Sequence, residues 1–257
     1  MKSETRRKIL GLLLFVILIG FLFFLSIASE RKELDKRIKS ITMTGNKLLN
    51  ENDYLAFIKL NDAENYKGLT LPVIKARLQK HPYVKRADVE FSRDNEVHIN
   101  LTEKEIKAVL MNNNGMFLSS DNFEILPFIP NTKISNLPVI SNLDNSDLLK
   151  KNEKLKTPGL VEAYKIIDAA GSADDDVAKK LSEINLRNGG DIILLFSGLK
   201  PPVIFGKGNP AFKIVAFDEL ISGADDQSEL VMNSSFIDLR FGNAVYLGNN
   251  ETTGLTE

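Results

Sequence analysis

The sequence predicts an α+β fold in three parts: an N-terminal transmembrane helix, a β-α-α-β-β domain, and a mainly antiparallel β-sheet domain with flanking helices. Residues 9–28 form an apolar run without charge or proline. Residues 38–103 show, in order, the patterns of a strand, two helices and a hairpin. Residues 104–248 alternate short apolar runs with clusters of Gly, Asn, Ser and Asp, which is typical of hairpins. The other segments are predicted to be a cytoplasmic tail, a linker and a flexible C-terminal tail, at residues 1–8, 29–37 and 249–257.

The composition excludes several classes of function. The chain has 257 residues, a net charge of −1 and 43% hydrophobic residues, enough for one large or two small domains behind the helix. It contains no cysteine, which excludes disulfide scaffolds, thiol catalysis and thiolate metal sites. A nucleic-acid-binding domain would usually carry a marked excess of Lys and Arg over Asp and Glu, and this chain has no such excess.

The apolar run from Ile9 to Ala28 is predicted to span a membrane. A helix of about 20 residues rises roughly 30 Å, the thickness of the hydrocarbon core of a bilayer. A cleaved signal peptide is the alternative, because Ser26-Ile27-Ala28 fits a small-x-small cleavage site, although the run is longer than an ordinary signal-peptide core. Basic residues flank both ends, so charge leaves the orientation open. The short N-terminal tail and the large C-terminal part favour soluble domains outside the cytoplasm.

The first domain opens with a strand from Ile38 to Gly45, in which apolar residues alternate with threonines. Asn50 is a suitable N-cap for a short helix, and Thr70 is a suitable N-cap for a second one. That helix should end at His81, because a residue that precedes proline disfavours the helical region. Two strands joined by a turn at residues 93–96 follow, with one apolar and one polar face. We therefore expect two helices on one face of a three-stranded sheet.

The second domain reads as short strands and two helices. Thr157 and Pro158 start a helix that Gly171 should end as a C′ glycine. A second helix should start at Asn209-Pro210. The predicted strands include a hairpin and two final strands that meet near Gly242, at residues 182–186, 191–196, 203–205, 236–239 and 244–247.

We find no constellation of residues that would carry catalysis or hold a cofactor. His81 and His98 are the only histidines, and two histidines without cysteine make a zinc site improbable. The acidic runs at 174–176 and 225–226 lack the spacing of a calcium loop and are interpreted as solvated turns. The segment 206–208 lacks the spacing of a phosphate-binding loop. The sequence therefore predicts a protein without enzymatic activity, metal or cofactor.

Asp238 and Arg240 allow two interpretations. Two residues apart on a predicted strand, they should point to the same face. They could hold the fold, as an ion pair or as a charge paired to the backbone, or they could belong to a surface on which a partner docks.

Three short motifs follow one another along the first domain. These are Ile41-Thr42-Met43-Thr44-Gly45, then Pro82-Tyr83-Val84 with Ala87 and Val89, then Val97-His98-Ile99-Asn100-Leu101 with Glu103. In their order and spacing, and in the β-α-α-β-β order of a POTRA module, the sequence resembles the FtsQ/DivIB family of bacterial cell-division proteins.

The second domain extends the resemblance through residues 108–110, 117–127 and 137–140, and above all through Phe236-Ile237-Asp238-Leu239-Arg240-Phe241. Ile106 departs from the family, which usually has proline there. Asn122 or Phe123 stands where the family often has a turn glycine, and asparagine adopts the left-handed conformation at modest cost.

The resemblance implies a non-enzymatic, single-pass division protein of the (inner) cell membrane, with periplasmic or extracytoplasmic domains. The implied partners are small bitopic coiled-coil proteins of the FtsB/DivIC and FtsL type, which a free edge of the last strand could bind by strand addition. Tyr246 is the candidate aromatic anchor. The alternative is a membrane-anchored POTRA adaptor or chaperone in polypeptide transport. The candidate partner-binding residues are Phe236, Asp238, Arg240, Ala244, Val245, Tyr246 and Leu247.

Overall fold

A computed structural model describes eight stretches of the chain. These are residues 12–25, 38–66, 68–92, 95–112, 115–144, 149–223, 225–242 and 244–249. They fall into two compact units that divide between Glu103 and Lys104. Residues 12–25 are helical. Over the described stretches, no helix is both long and apolar enough to cross a bilayer. The predicted span at 9–28 runs past the described residues at both ends and stays a prediction, as does the flexible tail beyond residue 249.

The first unit has the predicted order of elements. The three-stranded sheet runs β1-β3-β2, with β1 parallel and β2 antiparallel to the central β3. Two helices and one 3-10 turn connect β1 to β2. The bounds are β1 Ser40–Thr44, α1 Glu51–Phe57, the 3-10 turn Ala63–Tyr66, α2 Leu71–Leu78, β2 Val84–Phe91 and β3 Glu96–Glu103.

Buried residues alternate with more exposed ones along β1 and β3, which shows which face of the sheet the core lies on. Ile41 and Met43 of β1 and Ile99 of β3 are buried on the face that the helices cover. Tyr54 of α1 and Ile74 of α2 are fully buried against them. Each such side chain contributes about 1.5–3 kcal/mol to folding, so this face holds the unit together.

Gly45 ends β1 because no other residue fits there. Its φ is +82°, and a Cβ atom would overlap the main-chain carbonyl oxygen of Leu101 on β3. The glycine of the first motif is therefore a packing requirement of the β1–β3 pair.

Glu103, the last residue of β3, fixes the connection between β1 and α1. Its carboxylate accepts hydrogen bonds from the main-chain N–H of Lys47 at 2.8 Å and of Leu48 at 3.0 Å. It also accepts a hydrogen bond from the hydroxyl of the buried Tyr54. Burial, and then the bond to Glu103, raise the pKa of Tyr54 far above its ordinary value. The glutamate that closes the third motif is thus a structural acceptor.

We expect Glu103→Ala to lower the free energy of unfolding of the first unit by about 2–4 kcal/mol, because it leaves three hydrogen-bond donors without their acceptor. Amide exchange of peptides from residues 38–103 in rising urea measures this. Glu90→Ala, on the polar face of β2, is the matched control and should cost under about 0.5 kcal/mol. Equal midpoints for the two variants would contradict the role of Glu103.

The second unit is a nine-stranded mixed sheet of order β12-β11-β10-β9-β8-β7-β4-β5-β6. Most neighbouring strands are antiparallel, as predicted, but β4–β7, β7–β8 and β10–β11 pair in parallel. The bounds are β4 Ile106–Asn112, β5 Gly115–Ser120, β6 Ile125–Pro127, β7 Val139–Ser141, β8 Leu181–Asn185, β9 Ile193–Phe196, β10 Val203–Ile204, β11 Ile237–Asp238 and β12 Tyr246–Leu247.

Four helices supply buried residues to the core of the second unit. Their bounds are α3 Pro158–Ala173, α4 Asp175–Lys180, α5 Pro210–Ile221 and α6 Asp225–Asn233. Leu160 and Ile166 of α3 and Phe217 of α5 are fully buried in one cluster with Ile184 and Leu194 of the sheet. Because Ile184 and Leu194 pair directly, the helices cover that face of the strands.

Two predictions about helix ends were wrong. Gly171 does not end α3, which continues to Ala173. The stop is Asp174, whose extended backbone ends α3 and whose carboxylate accepts the N–H of Asp176 as the N-cap of α4. The acidic run at 174–176, predicted as a solvated turn, therefore begins a helix, at whose positive end carboxylates are favoured. The run at 225–226, also predicted as a solvated turn, is the start of α6.

The left-handed residue in the turn after β5 is Phe123, with φ of 66°, rather than Asn122. Stacking against Tyr164 offsets its strain, since the two rings lie 4.5 Å apart and nearly parallel. The Tyr164 hydroxyl donates to the carbonyl of Ser120 at 2.6 Å, and burial raises its pKa to about 12.

Candidate partner-binding site

The chain itself covers one edge of the nine-stranded sheet. Beside β6, Ile125 donates to the carbonyl of Glu153 at 2.8 Å, and Asn152 donates to Ile125 at 2.6 Å. Leu155 donates to Phe123 at 2.9 Å. The segment 152–155 therefore shields this edge from further strands.

The other edge, β12, has a described neighbour on its inner side alone. Gly248 donates to the carbonyl of Phe236 at 2.9 Å and accepts from Ser235 at 2.8 Å, so both of its main-chain groups face β11. Main-chain groups alternate in direction along an antiparallel strand. The N–H and C=O of Val245 and Leu247 therefore point away from the sheet.

The side chains of the hairpin divide between two faces. Val245 and Leu247 pack against the hydrophobic core on the helix side. Tyr246 lies on the opposite face, opposite Asp238, and is 54% exposed. Its ring meets that of Phe241, which is 50% exposed, edge to face at 4.8 Å. An aromatic pair thus lies beside the open edge.

An apolar groove of about 370 Å³ adjoins the hairpin on the side of α5. Phe212 and Leu220 of α5 form one wall, and Leu239, Phe241 and Val245 form the other. Phe212 is 59% exposed, so the mouth of the groove is open to solvent.

Asp238 and Arg240 form an ion pair, but they do not share a strand as predicted, because β11 ends at Asp238. The buried Asp238 carboxylate accepts the main-chain N–H of Arg240 at 3.0 Å and its Nη2 at 2.6 Å. The hydrogen bonds from Arg240 hold the pKa of Asp238 below its ordinary value, against the effect of burial. Of the two interpretations, this geometry is that of a fold-holding pair.

The structure brings the predicted site residues together on one hairpin. Phe236 and Asp238 lie in or beside β11, Arg240 follows it, and the stretch 244–247 leads into and forms β12. Phe241 was missed as a site residue, although its motif contains it. The α5 wall of the groove was also missed, because contacts between distant segments leave no local pattern.

The two histidines lie in separate places. His98 is on the polar face of β3, with its ring nitrogens 3.2 and 3.3 Å from the hydroxyls of Thr42 and Thr44. His81 is buried, and its Nδ1 accepts the N–H of Tyr83 at 3.1 Å. Within the described stretches, no group of three or more His, Cys, Asp or Glu side chains could hold a metal ion.

Comparison with known proteins identifies the first unit. Residues 36–104 match the family described as POTRA domain, FtsQ-type. Over these residues, the first unit is similar to an FtsQ-type POTRA domain. The match supports the assignment to the FtsQ/DivIB family, and the β1-β3-β2 sheet behind two helices is the fold predicted for that domain. The match ends one residue into the second unit. A search among curated proteins found no match.

We expect Asp238→Asn to lower the free energy of unfolding of the second unit by about 1–3 kcal/mol at neutral pH, because it breaks a pair that is buried on one side. The pKa of Asp238 is lower in the folded state than in the unfolded state. Its contribution is therefore present above the unfolded-state pKa and is lost as the pH falls through the folded-state pKa.

Urea unfolding followed by circular dichroism, repeated from pH 7 down to about pH 3, tests this expectation. The difference between wild type and Asp238→Asn should shrink below about pH 4, the ordinary pKa of aspartate. Asp168→Asn breaks the exposed pair with Lys107 and serves as the control. A difference that is absent at pH 7, or constant with pH, would contradict the assignment.

Proposed function

We propose that the protein is a non-enzymatic, bitopic scaffold of the bacterial division machinery, which recruits and links other division proteins during septum formation. The observation that carries this proposal is the open edge at β12, in the same chain as an FtsQ-type POTRA domain. An edge with outward main-chain groups is suited to binding a protein segment rather than to chemistry.

The partners would be small bitopic coiled-coil proteins of the FtsB/DivIC and FtsL type. In strand addition, main-chain hydrogen bonds supply affinity and side-chain pockets supply specificity. Val245 and Leu247 would supply the hydrogen bonds. Tyr246 would act as the aromatic anchor on one face of the added strand. Phe241, which meets the Tyr246 ring and also lines the groove, would contribute to both faces. The groove against α5 would take apolar side chains on the other face.

The FtsQ-type match favours this function over the alternative, an adaptor in polypeptide transport. The match concerns the domain type, and the partners are part of the proposal.

We also place the N-terminus in the cytoplasm, the anchor at residues 9–28 in the cell membrane and both domains outside the cytoplasm. The helical stretch 12–25 supports the anchor, because its large apolar side chains are 47–68% exposed on every side. An isolated helix of this kind is unfavourable in water and suited to hydrocarbon.

Val245→Pro should weaken partner capture about tenfold or more, because it removes an outward N–H and leaves the bonds between β11 and β12 in place. Tyr246→Lys should also weaken capture, through loss of the anchor. The measurement is capture by the full-length protein from detergent-solubilised membranes of its source, with bound proteins quantified by mass spectrometry.

Leu230→Lys is the matched control, since Leu230 is 66% exposed, against 54% for Tyr246, but lies on α6. It should capture as wild type does. Wild type should capture two small single-pass coiled-coil proteins. Capture of outer-membrane or unfolded polypeptides instead, or equal capture by all variants, would contradict the scaffold and its edge.

The full-length protein should stay in the membrane pellet after an alkaline carbonate wash, and deletion of residues 9–28 should release it. Protease added to spheroplasts should digest both domains. Detection of the N-terminal peptide in the mature protein distinguishes an anchor from a cleaved signal peptide. Release of the full-length protein by carbonate, or domains protected from protease, would overturn the topology.

A further inference from the structure

The hairpin that carries the open edge has little main-chain attachment to the rest of the sheet. Only Val203 and Ile204 of β10 pair with β11. The bonds from Ile237 to the carbonyl of Pro202, at 3.0 Å, and from Leu239 to that of Ile204, at 2.9 Å, lie at this junction. With so short a ladder, side-chain contacts must decide where β12 lies.

Arg240 links the hairpin to a distant loop. While two of its nitrogens bind Asp238, its Nη1 donates to the carboxylate of Asp191 at 2.9 Å. Asp191 lies 49 positions earlier, between the turn at 187–190 and β9. A guanidinium that bridges two carboxylates is constrained in direction as well as in distance.

Gly206 makes room for this bridge. Its φ is +66°, and an added Cβ would lie 2.8 Å from Cγ of Arg240. The N–H groups of Phe205 and Gly206 both donate to the carbonyl of Ile192, at 2.8 and 3.0 Å. The Arg240 side chain thus passes over a main-chain segment that is itself fixed to the start of β9.

Lys213 of α5 fixes the same segment from the helix side. Its buried ammonium donates to the carbonyls of Phe205 at 2.7 Å and Lys207 at 3.0 Å. Burial lowers the pKa of Lys213. Lys207 in turn donates to the carbonyl of Gly189 at 2.6 Å. The Arg240 bridge therefore lies against two loops and a helix that are hydrogen-bonded to one another.

The geometry points to Asp191 and Gly206 as positioning residues for the partner-binding edge, acting through Arg240. This inference rests on the proposed function, since it concerns the same edge. Neither residue is on the hairpin. Asp191 holds the guanidinium, Gly206 leaves the path open for it, and the hairpin is held in the position that presents Val245 and Leu247 outward.

Amide hydrogen exchange on the full-length protein in detergent tests the inference without a partner. In Asp191→Asn, exchange in peptides from residues 236–249 should be about three- to tenfold faster than in wild type, while α3 and POTRA peptides keep their rates. Asp191→Glu retains the charge and should restore wild-type exchange to within about twofold. Asp168→Asn, which breaks an unrelated ion pair, should leave the hairpin unchanged.

Gly206→Ala is the second variant and should act in the same direction, because it displaces Arg240 rather than removing its partner. Unchanged exchange of the hairpin in both variants overturns the inference. Equal acceleration in α3 also overturns it, because the residues would then serve general stability.

Partner capture, measured as above, separates this inference from the proposed function. If wild type captures the coiled-coil proteins, the amount that Asp191→Asn captures should fall by a factor similar to the increase in its hairpin exchange rate. Asp191→Glu should capture about as much as wild type. If wild type captures nothing, the proposed function fails, and the exchange data still decide whether Asp191 positions the hairpin.

Discussion

Every open β-sheet ends in two strands whose outer N–H and C=O groups need partners, and the two edges of this nine-stranded sheet meet that need differently. At β6 the chain returns and bonds its own segment 152–155 along the strand. At β12 the described chain ends its sheet with outward groups on Val245 and Leu247. An edge with outward main-chain groups can accept an added strand, so its side chains and its position would determine what binds.

Two kinds of contact hold the edge in place: Val245 and Leu247 pack against the hydrophobic core, and Arg240 bridges to a segment far away in the sequence. The two-residue strands β11 and β12 would be marginal alone. Arg240 joins them to the loop before β9 through Asp191 and holds the strand end through Asp238. Asp238 and Arg240 thus form the ion pair that was one of the two interpretations of their spacing. On the inference above, the same interaction would hold the strand end and orient the edge.

Much of the first domain could be predicted from sequence because its signals are local. Alternation predicted the faces of β1 and β3, Asn50 and Thr70 marked the helix starts, and Gly45 marked the end of β1. Prediction failed where the deciding contact was distant. The parallel strand pairs, the cover over β6 and the Asp191–Arg240 bridge join segments far apart in sequence.

The errors at helix ends have a different cause. Asp174 is the N-cap of α4, and Asp175 and Asp176 lie in its first turn. From the sequence alone, the same three residues are equally typical of a solvated turn. Phe123 has a left-handed backbone, whose strain the stacking against Tyr164 offsets. The neighbouring sequence contains no pattern that predicts this contact.

The most direct test of strand addition at β12 is the exchange rate of single amides in residues 244–249, with and without the captured partner. If a strand adds, the amides of Val245 and Leu247 should become protected at least about tenfold, while Gly248, already bonded to β11, should change little. Unchanged rates at Val245 and Leu247 in a saturated complex, or protection confined to the POTRA domain, would contradict the account.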